Sequence, residues 1–258
     1  MNKILWLFLF FLLLLVGRKR GIKTFFTFLL SILLILLYIV LMLWGIDAII
    51  LAFIICILVS LISVFFLNGV SAKTKSSFIS IMLVQIIVFG LIYFVTNGAS
   101  IGVFGIESME NIGGFTLGTD YSMRNVIVGM FLVSIIGTVI DTSISVSSAM
   151  NEVKENNPKI KEKELFKSGM NVGGDILSTT INTLYFALIC TFVGFFMWHK
   201  GISLEQAINY KIFAKDIVQL MIAFIGSILI IPITAYISSI LLIDDDITSL
   251  FKRIKKKK

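Results

Sequence analysis

Cysteine, histidine and proline are nearly missing from this chain, with two, one and two residues respectively, and only 14% of its 258 residues are charged. Cys56 and Cys190 both fall inside apolar runs, form no CxxC pair and have no histidine nearby, so neither a disulfide framework nor a zinc site is suggested. No GxxxxGK[ST] pattern is present, which sets phosphate-loop chemistry aside, and no cofactor or metal motif is found. Also lacking are the regular polar faces that a water-soluble core needs, because most apolar segments run on without a polar period. The formal charge of +7 does not point to nucleic acid, since the basic residues stand in short blocks flanking apolar runs.

What the chain does have is apolar length, at 58% of the sequence, and a hydrocarbon core takes about 20 helical residues to cross. The expected fold is an all-α polytopic membrane bundle of about seven transmembrane helices. A short first span, 4–16, is followed by 25–44, 49–66, 78–95, 125–148, 174–198 and 217–242. The first run is short enough for a signal peptide. It lacks a small-residue cleavage site, however, and Arg18-Lys19-Arg20 follow it, which favours an uncleaved anchor. Spans two and three are joined only by residues 45–48, a tight hairpin. Residues 97–123 form the longest external loop, with Glu107, Glu110, Asp120 and Gly113-Gly114. Residues 1–242 are read as one transmembrane domain and 243–258 as a basic cytoplasmic tail.

Of the 22 Lys and Arg residues, 17 fall on one side of these spans. That side is expected to be cytoplasmic, with the N-terminus outside and the C-terminus inside. Asn157-Pro158 with Ile160, Leu165 and Phe166 predicts an amphipathic helix on the cytoplasmic surface, about 158–171, and Gly173-Gly174 a bend before span six.

Chemistry concentrates between Gly137 and Thr183. On span five Ser134, Thr138, Asp141, Ser145, Ser148 and Glu152 recur at steps of four and three and therefore share one helical face. On span six Asn171, Asp175, Ser178 and Asn182 recur in the same way, with Thr179 and Thr183 beside them. The two stripes are expected to face each other, bringing Asp141 to Thr179 and Asn182 about 10 Å into the membrane. A charge at a helix centre costs about 2.5 to 3.5 kcal/mol, and hydroxyls and amides suffice for helix–helix adhesion. Asp141 is thus the leading site candidate. No lysine or arginine stands within the spans, and a proton or sodium ion is its natural counter-charge. Asp175, Asn171 and Asp216 are secondary candidates. Asp175 lies close to the interface, and Asp216 beside Lys215 reads more readily as an interfacial ion pair than as a site residue. His199 follows Trp198 at the outer boundary, and Glu107 and Glu110 read as loop acids.

Three blocks, GTVIDTSISVSSAMNEVKENNP from Gly137, ELFKSGMNVGGDILSTTINTL from Glu164 and GSILIIPITAYISS from Gly226, resemble the YibE/F family of bacterial membrane proteins, with GIESMENI in the loop as a looser match. The resemblance extends from Gly17 to Leu242 and is closest to the shorter, YibF-like members. It implies a bacterial cytoplasmic membrane and a longer YibE-like partner, with a homo-oligomer as the other arrangement. The chain departs from the family pattern at Gly174, where an arginine is expected before the aspartate. An arginine-assisted role for Asp175 is correspondingly weakened. The order of span-five aspartate, NP-containing connector and returning NTL is also similar to the six-helix half of SecD/SecF and other RND-type transporters, in which a membrane acid relays protons.

These readings lead first to an ion-coupled permease or export-assisting subunit with Asp141 as the relay, and no enzymatic activity. A non-catalytic scaffold of a YibE/YibF-type complex is the alternative. An intramembrane aspartyl protease built on Asp141 and Asp175 is more remote, since the paired YD and GxGD motifs are missing.

Overall fold

The computed structural model describes residues 2–98, 123–198 and 201–255. The external loop with Glu107, Glu110 and Asp120, and His199, lie outside the described residues. Within them all the regular structure is helical, as the apolar runs require: in hydrocarbon a backbone satisfies its polar groups within one segment only as a helix. The elements are α1 (Asn2–Leu43), α2 (Ala48–Leu61, prolonged by a wider π-helical turn Ile62–Phe66), α3 (Ala72–Gly98), α4 (Met123–Asn156), α5 (Glu162–Trp198), the short α6 (Leu204–Asn209) and α7 (Lys211–Lys255). Among the described residues six segments are long and apolar enough to cross a membrane: Arg20–Leu43, Ala48–Phe66, Ala72–Gly98, Arg124–Asn156, Glu162–Met197 and Phe213–Ile243. The chain forms a helical membrane bundle.

The first apolar run, Trp6–Arg18, is shorter than the other six. It belongs to α1 but doubles back at Arg18, whose φ of 46° breaks the helical path. Phe10 then meets Phe25 at 4.8 Å and Trp6 meets Phe28 at 5.8 Å between ring centroids, and Gly21 abuts the Leu13 carbonyl. The two arms of α1 therefore run antiparallel with Arg18 and Arg20 at the turn.

At the 45–48 turn Gly45 takes a φ of 89°, and Asp47 caps α2 by accepting from the amides of Ile49 and Ile50. Its second oxygen accepts from Asn125 Nδ2 at 2.9 Å, tying the hairpin to the start of α4.

α3, α4 and α7 form a mutually packed centre, α2 lies on α4, and α5 lies on α7 and α4. α1 packs on α2, with Tyr38 reaching Gly129 of α4. α4 is the most enclosed of the six spans and α5 the least.

Two expectations about the lysine-rich end are corrected. The surface helix placed at 158–171 and span six are one continuous helix from Glu162, and Gly173-Gly174 do not break it. Gly173 instead presses against Ile231 of α7, and Gly169 against Met150 and Ala235, so the small residues serve close helix approach. The described part of the basic tail is helical and continuous with α7 as far as Lys255, with Pro232 inside the helix.

Candidate functional site

α4 divides sharply around its circumference. Phe131, Ile135, Val139, Thr142, Val146 and Met150 are buried, whereas Ser134, Asp141, Ser145 and Glu152 are exposed on the other side of the helix, with Thr138 half-buried. The predicted stripe is a single face. The hydroxyls of Ser134 and Thr138 donate to the carbonyls of Phe131 and Ile135 in their own helix. Asp141 makes no hydrogen bond or ion pair with any described residue. Its carboxylate stands on the membrane-spanning part of α4, about 10 Å along the axis from Ser148 and as far from Ser134.

The stripe on α5 does not answer it. A helix turns about 100° per residue, so Asn171, Asp175, Ser178 and Asn182 all fall on the far side of α5 from Gly173, which abuts α7. All four are exposed. Thr179 and Thr183 flank that face, are exposed, and donate to Ile176 and Thr179 carbonyls within α5, as Ser178 does to Gly174. No hydrogen bond joins Asp141 to Thr179, Asn182 or Asp175 among the described residues. The physical reason is the azimuth set by the glycines. Polar periodicity shows that residues share a face, but the close α5–α7 approach decides where that face points.

The structure does bring Ser134 to Asp216. At the end of the bundle that holds the 45–48 turn, α4, α5 and α7 enclose a cleft of about 220 Å³, whose polar lining is Ser134, Thr191, Asp216 and Gln219 among leucines and alanines. Asp216 pairs with Lys215 at 3.6 Å, both side chains being half-buried. The cleft therefore sits above the Ser134 end of the stripe.

Sequence reading missed a hydroxyl junction on the opposite side of α4. Ser77 and Ser147 hydrogen-bond at 2.5 Å, Ser143 and Thr234 at 3.0 Å, and Ser238 donates to Ser76 at 2.9 Å, all of them buried. The junction ties α3, α4 and α7 at the lysine-rich end. Its signal was Ser143 and Ser147 at a spacing of four, overshadowed by the stripe that carries an acid. Gln85 on α3, the only amide in the run 78–95, was also passed over. Its side chain is buried without a hydrogen-bond partner among the described residues, beside a space of about 10 Å³ lined by Val88, Leu132 and Ile136. Among the described residues no three His, Cys, Asp or Glu side chains gather where a metal could bind. Cys56 is buried and Cys190 exposed, both as free thiols.

The family pattern can now be set on this geometry. The sequence model of the YibE/F-like protein family matches residues 5–244, from the first arm of α1 to the membrane end of α7. The chain belongs to that family. No curated protein and no solved structure matches it. The family match thus spans the α4 stripe, the cleft and the outward face of α5 in one YibE/F-like unit.

Proposed function

We propose that this YibE/F-like protein is an ion-coupled permease or export-assisting subunit of the bacterial cytoplasmic membrane, in which Asp141 alternately binds and releases a proton or sodium ion. The observation that carries the proposal is a carboxylate on a membrane-spanning helix, without a cationic partner among the described residues, at the centre of a face of hydroxyls. An acid so placed is costly to keep and points to an ion path. One charge moved through the membrane field is worth about 2.3 kcal/mol per 100 mV, enough to bias two packings of a helix bundle. On this reading the lysine-rich end is cytoplasmic and the cleft end faces outward. The test is Asp141→Asn in proteoliposomes with an entrapped pH- or sodium-sensitive dye: gradient-driven uptake should be lost, and wild-type uptake would remove Asp141 from the mechanism.

A second reading, a membrane subunit of a YibE/YibF-type complex, draws on the outward face of α5. Asn171, Asp175, Ser178 and Asn182 are exposed along a helix that crosses the membrane. Polar groups at such depth are costly against lipid and are usually satisfied by another helix. A YibE-like partner or a second copy would supply it. The two readings are compatible, and co-purification with a YibE-like chain that survives Asp141→Asn but not Asp175→Leu with Asn182→Leu would separate them.

A further inference from the structure

The cleft between α4, α5 and α7 has a lining with a definite chemical bias. The hydroxyl hydrogen of Ser134 is committed to the Phe131 carbonyl and that of Thr191 to the Ala187 carbonyl. Their oxygens therefore present lone pairs, and not protons, to the space. Asp216 adds a carboxylate, and Gln219 adds a carbonyl oxygen beside its amide hydrogens. Lys215 is the neighbouring cation, and its ammonium is turned to Asp216. The same bias continues along α4, where Thr138 donates to Ile135 and leaves its oxygen free to accept, one helical turn before Asp141. Ser134, Thr138 and Asp141 thus form an acceptor ladder about 10 Å long, beginning in the cleft and ending at the membrane carboxylate. A surface rich in acceptors and poor in donors stabilises a cation and disfavours an anion.

From this geometry we infer that the cleft is the outer mouth of a cation-selective path to Asp141, with Asp216 as the collecting carboxylate and Ser134 and Thr138 as the steps between. The inference rests on the ion-coupled reading and names its substrate class: a small monovalent cation, hydronium or sodium, entering from the side opposite the lysine-rich end. Asp216 is a positioning and collecting group here, and Asp141 remains the group that holds the ion.

Charge-selective thiol labelling of the full chain in proteoliposomes tests the inference without requiring transport. In a Cys190→Ser background, Ser134→Cys is treated from outside with membrane-impermeant methanethiosulfonate reagents of opposite charge. Gln219→Cys on α7 provides a second reporter should the first variant fail to fold. With each rate normalised to that of the same reagent with a small free thiol in solution, the cationic reagent should react about tenfold faster than the anionic one, and Asp216→Asn should remove most of that preference. Equal rates for the two reagents, no labelling from outside, or a preference unchanged by Asp216→Asn would each overturn the inference. The labelling result is independent of flux. Cation-selective labelling with full gradient-driven uptake in Asp141→Asn would leave the mouth in place and remove the relay. Failed labelling with uptake lost in Asp141→Asn would do the reverse.

Discussion

At the residue scale, an acid such as Asp141 was legible in the sequence because a charge inside an apolar run has few reasons to be there, whatever the packing. Its environment was less legible. Asp141 was expected to meet Thr179 and Asn182, but those residues either donate into their own helix or point away, and Ser134 instead shares a cleft with Asp216. The hydroxyl junction escaped notice because serine is common in membrane helices, and only its burial at Ser143 and Ser147 distinguishes it from Ser145. Two substitutions follow from the hydrogen bonds. Ser143→Ala removes the hydroxyl from the pair with Thr234 and should lower stability by about 0.6 kcal/mol, and by no more than about 2, read as a shifted thermal unfolding midpoint in detergent. Gln85→Leu behaves differently, because the amide is buried without a partner among the described residues and its removal relieves a desolvation cost. Its midpoint should match or exceed that of the unsubstituted chain. A fall larger than that of Ser143→Ala would show the amide to be satisfied in the membrane.

At the scale of elements, the apolar runs read at 25–44, 49–66 and 78–95 differ by at most six residues from the ends of the helical segments Arg20–Leu43, Ala48–Phe66 and Ala72–Gly98, since about 20 uninterrupted apolar residues leave little choice of secondary structure. The larger differences lie at the lysine-rich ends of the helices. α5 begins at Glu162 and continues unbroken through Gly173-Gly174, and α7 extends to Lys255, because a helix need not stop where its side chains become polar. The glycine pair also illustrates how neighbours of one type take different roles. A side chain at Gly173 would strike Ile231, whereas Gly174 has open space around it. Gly173→Leu should therefore destabilise the bundle by about 1 to 3 kcal/mol through overpacking, and Gly174→Leu should change little beyond propensity. Thermal unfolding of the two variants checks this, and equal effects would mean that α5 does not approach α7 so closely. The first arm of α1 is read as a run of 13 apolar residues separate from 25–44, which requires the chain to turn between them, and the reversal falls at Arg18, laying the arm along Phe25 and Phe28.

For the whole molecule, a YibE/F-like bundle emerges in which one helix, α4, separates a packed face from an exposed polar one. α3 and α7 close its rear through interleaved side chains and the hydroxyl junction. α5 covers it only in part, leaving Asp141 exposed below the cleft and a second polar face turned outward. This division explains why the fold could be read from apolar length while the relation of the two polar stripes could not. Length is a property of each segment, but azimuth belongs to the pair. The proposed role of Asp141 as carrier of the coupling ion is central to this picture. It is tested most directly by gradient-driven cation uptake into proteoliposomes containing the unsubstituted chain, Asp141→Asn or Asp175→Asn, under an imposed membrane potential. The prediction is uptake at the level of empty vesicles for Asp141→Asn, with uptake retained for Asp175→Asn. Uptake by Asp141→Asn equal to that of the unsubstituted chain would contradict it.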